Sequence, residues 1–220
     1  MALDKDALRS RLRDGARALA LDLPDAPLEK LLDYLALLQK WNAVYNLTAV
    51  RDPEQMLTQH LLDCMAALLA FASAQRVLDV GSGGGLPGIV IAIWAQHAAP
   101  SLRVDLIDTV HKKTAFLTQV KAELGLSNVR VHTGRVEQYQ ADETYDVITS
   151  RAFAELADFV NWSGHLLRDG GQMIALKGQA RQTEKEGLPT GWKIARTQAL
   201  TVPGLDAERH LVFLERTDHL

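Results

Sequence analysis

Cysteine occurs once in this 220-residue chain, at Cys64, and that scarcity excludes several kinds of protein. One thiol cannot close an intramolecular disulfide, and it leaves no cysteine cluster to hold a structural metal. The seven histidines, at 60, 97, 111, 132, 165, 210 and 219, are scattered, and no two show the four-residue spacing that aims both rings at one ion. No metal is expected. Apolar runs fall short of the roughly 18 residues a membrane span needs, and the opening Met-Ala-Leu-Asp-Lys-Asp lacks a basic region followed by an apolar one. Neither a membrane partner nor export is expected, and the cytoplasm is the natural compartment. Excess positive charge is also missing. The net charge of −3 argues against a generally basic nucleic-acid binder, although screening over roughly 8 Å in physiological salt makes local charge matter more than the total. There is no internal repeat, no low-complexity linker and no long exposed heptad pattern that would demand a partner, so a monomer is expected.

What is present, 47% apolar and 23% charged residues, suffices for one sizeable core, or a core with a small appendage. The first 74 residues read as helical. From Leu3 to Ala20, leucines 8, 12 and 19 with alanines 7, 16 and 20 mark one helix face. Lys5, Arg9, Arg13 and Arg17 form a basic stripe elsewhere on that helix. The stripe is either a solvated face paired with Asp4, Asp6 and Asp14 or a set of phosphate contacts. A second helix begins near Asp25 and Pro27 and must bury the stripe Leu28, Leu31, Leu32, Leu35, Leu38, Trp41 and Tyr45. A third opens with Asp52-Pro-Glu-Gln55 and runs through Leu57, Leu61, Cys64, Leu68 and Phe71.

From Arg76 onward strands alternate with helices. Strands are expected at 76–80, 102–108, 129–133, 146–149 and 172–177, with helices after Leu86, from about Lys112 to Leu124 and from about Phe153 to Leu167. That alternation implies a mostly parallel sheet covered on both faces. The last two runs, Trp192 to Val202 and His210 to Glu215, are joined by Pro203-Gly-Leu-Asp206 with no room for a crossover helix, so they should form an antiparallel hairpin. The expectation is a helical extension, residues 1–74, packed on a seven-stranded α/β domain, residues 75–220, the two being countable as one domain.

After the strand Val77-Leu-Asp-Val80 come Gly81, Gly83, Gly84, Gly85 and Gly88, which permit a sharp turn and bring backbone amides near a ligand at the next helix start. Gly83 to Gly88 matches GxGxxG, and Asp108 closes the following strand, so a dinucleotide fingerprint is formally present. Asp79 separates the readings. A carboxylate at the mouth of the site would repel a pyrophosphate and attract the ammonium or sulfonium of S-adenosylmethionine. The D-x-G-x-G-x-G pattern therefore favours a Rossmann-like class I methyltransferase with that cofactor, bound at Asp79, Gly81 and Gly83. Asp108 would accept hydrogen bonds from both ribose hydroxyls, or else cap the helix that follows.

The acceptor should face the segment Tyr145-Asp-Val-Ile-Thr-Ser-Arg-Ala-Phe153, after the fourth strand. The Asn/Asp-Pro-Pro-aromatic loop of base-amine methyltransferases is missing there, as is a cysteine nucleophile for pyrimidine C5. An acceptor with its own lone pair, such as guanine N7, needs neither, and positioning plus electrostatics would suffice. Arg151 after the fourth strand, Lys177 at the end of the fifth, and His111, Lys112 and Lys113 after the second would give a positive crescent for phosphates, or be unrelated surface cations.

Over roughly residues 25 to 215 the chain resembles the RsmG (GidB) family, bacterial methyltransferases that modify guanine N7 in small-subunit (16S) ribosomal RNA. The resemblance rests on Leu38-Gln-Lys-Trp-Asn-Ala-Val-Tyr-Asn-Leu-Thr-Ala-Val50, His60-Leu-Leu-Asp63 and Leu78-Asp-Val-Gly-Ser-Gly-Gly-Gly-Leu-Pro-Gly88. Gly134-Arg-Val-Glu137, Ser150-Arg-Ala152 and Lys177-Gly178 extend it. It implies cofactor contacts at Gly81 and Leu86, at Val136 and Glu137 beside the adenine, and at Arg151 near cofactor and acceptor, with 16S RNA or the small subunit as partner. Alanine is usual where Val136 stands, which a backbone contact would survive. Proline often stands where this chain has Gly84, and its absence should loosen the turn. Asn42, Asn46, His60 and Asp63 match motif positions without a role; His60 and Asp63, three apart on one helix, could bond each other. A small-molecule methyltransferase and a non-catalytic S-adenosylmethionine sensor are the competing readings.

Overall fold

The computed structural model describes residues 5–153, 155–178 and 187–217. Seven strands form one sheet: β1 (Arg76–Val80), β2 (Arg103–Asp108), β3 (Val129–Thr133), β4 (Tyr145–Ser150), β5 (Leu167–Lys177), β6 (Trp192–Leu200) and β7 (Arg209–Arg216). Their order is β3-β2-β1-β4-β5-β7-β6. The first five are parallel, while β7 lies antiparallel between β5 and β6. The alternating pattern and the closing hairpin are therefore realised, with boundaries within a few residues except at β5. That strand begins at Leu167 because Leu167 already pairs with Tyr145 across a register shift. The helix expected from Phe153 to Leu167 is correspondingly short, Leu156–Ser163, with a 3-10 turn over Gly164–Leu166.

Three helices cross between the parallel strands: α5 (Gly88–Ala98), α6 (His111–Glu123) and α7 (Leu156–Ser163). Helix α5 is apolar on every side, and Ile89 to Ala95 are all buried, as expected of a helix with cover on both sides. That second cover is the N-terminal extension. It comprises α1 (Lys5–Ala18), α2 (Asp25–Tyr45), α3 (Pro53–Met56), a π-helical segment Leu57–Leu62, α4 (Asp63–Met65) and a 3-10 turn Leu68–Phe71. One hydrophobic cluster runs from Leu8 and Leu12 of α1 through Leu28 and Leu35 of α2 to Ile89, Phe116 and Phe213.

Three of the four cations in the basic stripe of α1 reach α2. Lys5 pairs with Glu29 and Asp33, Arg9 with Glu29, and Arg13 with Asp25. Arg9 also lies 3.8 Å from Asp6 and Arg17 3.9 Å from Asp14, the pairing within α1 that its sequence suggests; Leu3 and Asp4 lie outside the described residues. Asp52 caps α3 as its sequence implies, accepting from Gln55 N–H at 2.9 Å. The single helix expected up to Phe71 is instead broken, since the π-helical segment widens it after Met56 and it ends at Met65.

Tyr34, fully buried on α2, donates its hydroxyl to the carbonyl of Gly84 at 2.6 Å. The extension thus grips the glycine turn directly, opposing the looseness expected where proline is absent. Tyr34→Phe leaves that buried carbonyl without its donor and should cost roughly 1–3 kcal/mol of unfolding free energy in urea denaturation. An unchanged midpoint and slope would contradict the contact.

Candidate active site

Strand order reverses at β1 and β4, whose following connections lead to opposite sides of the sheet, and a crevice opens outside their carboxyl ends. Gly81 leaves β1 there with φ 68°, and a Cβ on it would lie 3.0 Å from Cβ of Ala152, which follows β4. The turn's amides are already engaged. Gly81 and Ser82 N–H both donate to the Ile107 carbonyl, at 2.9 and 3.1 Å, and Gly83 N–H donates to Asp108 Oδ2 at 2.9 Å. The expectation that these amides would point at a ligand is corrected: between 81 and 83 the turn offers shape and no free donor. An anionic pyrophosphate, which is bound through such amides, finds none at these three positions.

Asp79 also differs from its expected place. It is fully buried, and its Oδ2 accepts from Gly88 N–H at 2.9 Å. A Cβ at residue 88 would come within 2.7 Å of that oxygen, so glycine is required for the approach. Oδ1 makes no hydrogen bond among the described residues. The carboxylate therefore stands behind the turn, and its reach to the cleft is electrostatic. A side chain on a strand alternates in facing, and this one faces the start of α5. Burial pushes its pKa up to about 7, against the pull of the Gly88 amide and of the Arg151 guanidinium.

The crevice has two chambers, both lined by Gly81 and Ala152. The larger, about 580 Å³, is walled by Asp108, Lys113, Gly134, Val136, Glu137, Phe153 and Trp162. Asp108 Oδ1 accepts from Val110 N–H at 2.9 Å, Oδ2 from Gly83 N–H, and Lys113 Nζ lies 3.6 Å from Oδ2. The residue thus shapes the turn before α6 while lining the chamber, and each carboxylate oxygen has capacity to accept a further hydrogen bond. A larger cavity, about 650 Å³, lies among Arg168, Trp192 and Arg216 at the opposite, amino-terminal end of β5, away from the switch point.

The smaller chamber, about 180 Å³, is walled by Gly83, Leu86 and Arg151 and by Leu38, Leu47 and Thr48 of the extension. Asn42 builds that last wall: its side chain donates to the Val50 carbonyl and accepts from Thr48 N–H, folding the 46–50 loop onto α2. Asn46 ends α2 with left-handed φ 50° and accepts from Arg51. The Trp-Asn…Asn-Leu-Thr segment is thus a device for presenting Leu47 and Thr48. His60 bonds Thr48 Oγ1 through Nε2 at 2.8 Å, and burial, with the nearby Arg151, lowers its pKa to about 4.

The expected His60–Asp63 bond is not formed. Asp63 turns instead to Arg209 Nε at 2.9 Å and Arg151 Nη1 at 3.4 Å, and Arg151 also donates to the Gln59 carbonyl. Burial raises the Asp63 pKa against both guanidiniums. Arg151 is thereby fixed at the chamber wall. The expected crescent is divided: Lys113 turns to Asp108, Lys112 lies over the Tyr45 ring, and Lys177 donates to the Phe153 carbonyl at 3.3 Å behind the rim. Sequence reasoning missed Tyr34, Leu38, Thr48, Trp162 and Arg209. Only Leu38 and Thr48 carried a signal, through their places in the Leu38 to Val50 run.

A family model described as rRNA small subunit methyltransferase G matches residues 27–212. A protein of Janthinobacterium sp. (strain Marseille) named ribosomal RNA small subunit methyltransferase G is 68% identical over 216 residues, 98% of each chain. One of that name from Neisseria meningitidis serogroup C is 52% identical over 208 residues, 94% of this chain and 98% of that one. A crystal structure of an S-adenosylmethionine-dependent methyltransferase from Thiobacillus denitrificans, in complex with S-adenosyl-L-homocysteine, shares the fold. Its TM-score is 0.51 at 14% identity, covering 80% of this chain and 96% of that one.

Asp79 has a consequence for stability. Its folded pKa of about 7 lies above the unfolded carboxylate value, so the stabilisation from its protonated form is complete below pH about 4 and is lost as pH rises through 7. Asp79→Asn removes that dependence. The stability of wild type relative to the variant should fall between pH 5 and pH 8, by roughly 2–3 kcal/mol. Parallel curves in urea denaturation across this range would contradict the assignment.

Proposed function

The chain belongs to the rRNA small subunit methyltransferase G family, and on that premise we propose that it transfers the methyl group of S-adenosylmethionine to N7 of a guanine in 16S ribosomal RNA by in-line attack. The observation that carries the reading is the divided cleft at the switch point, with an adenosine-sized chamber on one side of Gly81 and an arginine-walled chamber on the other.

The residues fit the cofactor. Asp108 keeps lone pairs suited to two ribose hydroxyls, and Gly134, Val136 and Glu137 line the far side of the same chamber, where an adenine would lie. The turn has its amides at 81 to 83 engaged and a buried carboxyl with one unpartnered oxygen behind it, a setting for a cationic donor more than for a pyrophosphate. When bound, S-adenosylmethionine supplies an electrophilic methyl group on a sulfonium.

The smaller chamber supports an acceptor that needs no base. Its described walls carry no carboxylate, imidazole or thiol, and the nearest candidates are withdrawn. His60 is held neutral and bonded to Thr48, and burial pushes the Cys64 thiol up to about 12. N7 of guanine carries its own lone pair, so no proton has to be removed before attack, and orientation with electrostatics can carry the step. In this reading Arg151, held by Asp63 and Gln59, flanks the cofactor and positions the acceptor, with Lys177 behind it. The extension, residues 1–74, works as one unit with residues 75–220, since Leu38, Leu47 and Thr48 complete the chamber. An acceptor on the small ribosomal subunit implies a cytoplasmic enzyme.

Labelled S-adenosylmethionine supplied with small subunits from a strain lacking this enzyme should label RNA, and borohydride with aniline should then cleave at one guanine. Label absent from RNA would overturn the acceptor; label without that cleavage would overturn N7. Asp108→Ala should weaken cofactor binding on the order of tenfold to a hundredfold by calorimetry, since charge-assisted hydrogen bonds contribute roughly 1.5–3 kcal/mol. Arg151→Ala should retain the fold by circular dichroism and lose most transfer; near-normal turnover would remove Arg151 from the site.

A further inference from the structure

The last turn of α2 departs from the pattern that built the rest of the helix. Its apolar stripe is buried from Leu28 to Leu38, yet Tyr45 remains 42% exposed and its neighbour Val44 69%. The Tyr45 ring is nevertheless held in place. It packs on Trp41 with centroids 5.1 Å apart, and Trp41 packs in turn on Phe116 of α6 at 5.5 Å. Lys112, at the start of α6, sets its Nζ 5.7 Å from the Tyr45 ring centroid. Val110, just before that helix, is also exposed. Arg51 stands close by in sequence, its guanidinium donating to Asn46 Oδ1 at 3.0 Å. Neither Lys112 nor Arg51 has an acidic partner among the described residues. Two residues beyond Tyr45 the chain enters the cleft wall at Leu47 and Thr48.

We propose that Tyr45, braced by Trp41 and flanked by Lys112 and Arg51, is a stacking platform for an unpaired base of the RNA substrate beside the methylated guanine. The inference rests on the reading that the acceptor is RNA. A ring that is 42% exposed and braced by Trp41 suits a splayed base, because every base has a π face and the ring loses little freedom on contact. Lys112 at the ring and Arg51 on the adjacent Asn46 supply positive charge for the phosphates of such a strand, which a protein partner's apolar surface would not call for. Continuity with Leu47 and Thr48 puts the platform on the same strand of RNA as a nucleotide entering the smaller chamber. A nucleotide must leave its stack for its ring edge to meet the cleft, and a platform that receives its neighbour holds the strand open.

Purified enzyme, unmethylated small subunits and S-adenosylmethionine test this, with three quantities measured: RNA affinity by filter binding, cofactor affinity by calorimetry and methyl transfer under saturating cofactor. Tyr45→Ala should weaken RNA binding roughly fivefold to a hundredfold, the range for loss of one stacked base, and raise KM for subunits in step, with cofactor affinity within about twofold of wild type. Tyr45→Phe should retain RNA affinity, since the ring and not the hydroxyl makes the contact. Lys112→Ala should lower the salt slope of RNA binding by about one. RNA affinity of Tyr45→Ala equal to wild type would overturn the platform. So would an equal loss of cofactor affinity, which would make the ring a strut for the cleft. Failure of wild type itself to label RNA would instead overturn the acceptor reading, so the two failures are distinct.

Discussion

Three hydrogen bonds fix the turn after β1, and the rest of the cleft is arranged around them. Asp79 takes Gly88 N–H from the α5 side, Asp108 takes Gly83 N–H from the end of β2, and Tyr34 gives its hydroxyl to Gly84 from the helical extension. Two of the three groups are buried carboxylates, which are costly to bury unless hydrogen-bonded. The turn makes them tolerable and they make the turn rigid. One oxygen of Asp79 remains unpartnered behind the glycines, beneath a site whose nearest amides are engaged. That arrangement offers an anionic phosphate no free amide at residues 81 to 83.

The extension is more than a cover for α5. Its Asn42 shapes the loop that carries Leu47 and Thr48 into the smaller chamber, its Tyr34 holds the turn, and its Asp63 anchors both Arg151 and Arg209. Asp63 thereby connects three distant parts of the chain, the extension, the segment after β4 and the start of β7. The position of Arg151 at the chamber wall depends on a residue 88 places earlier in sequence.

How much of this could be read from the sequence follows from the range of the interactions involved. The parallel strands were legible because they are short apolar runs between helical repeats, and the terminal hairpin because four turn residues leave no room for a crossover. The glycine turn, Asp108 and the Gly-Arg-Val-Glu segment converge on one cleft as their motifs suggest. Asp79 was misplaced, because its position at a strand end says where it is and not which face it takes. The free amides were misjudged for a similar reason, since their acceptor Ile107 lies on another strand. Arg209 and Tyr34 had no local signal, as their partners lie 146 and 50 residues away. The π-helical segment at Leu57–Leu62 was read as ordinary helix because its apolar spacing is nearly the same.

The central claim is that the fixed glycine turn and the extension's 46–50 loop form one ligand site. Hydrogen–deuterium exchange with and without S-adenosyl-L-homocysteine tests it most directly. Peptides spanning residues 81–86, 108–113 and 134–137, together with 46–50 from the extension, should gain protection on binding. Protection confined to residues 168–171 and 191–193, around the opposite cavity, or no change anywhere at saturating ligand, would contradict the account.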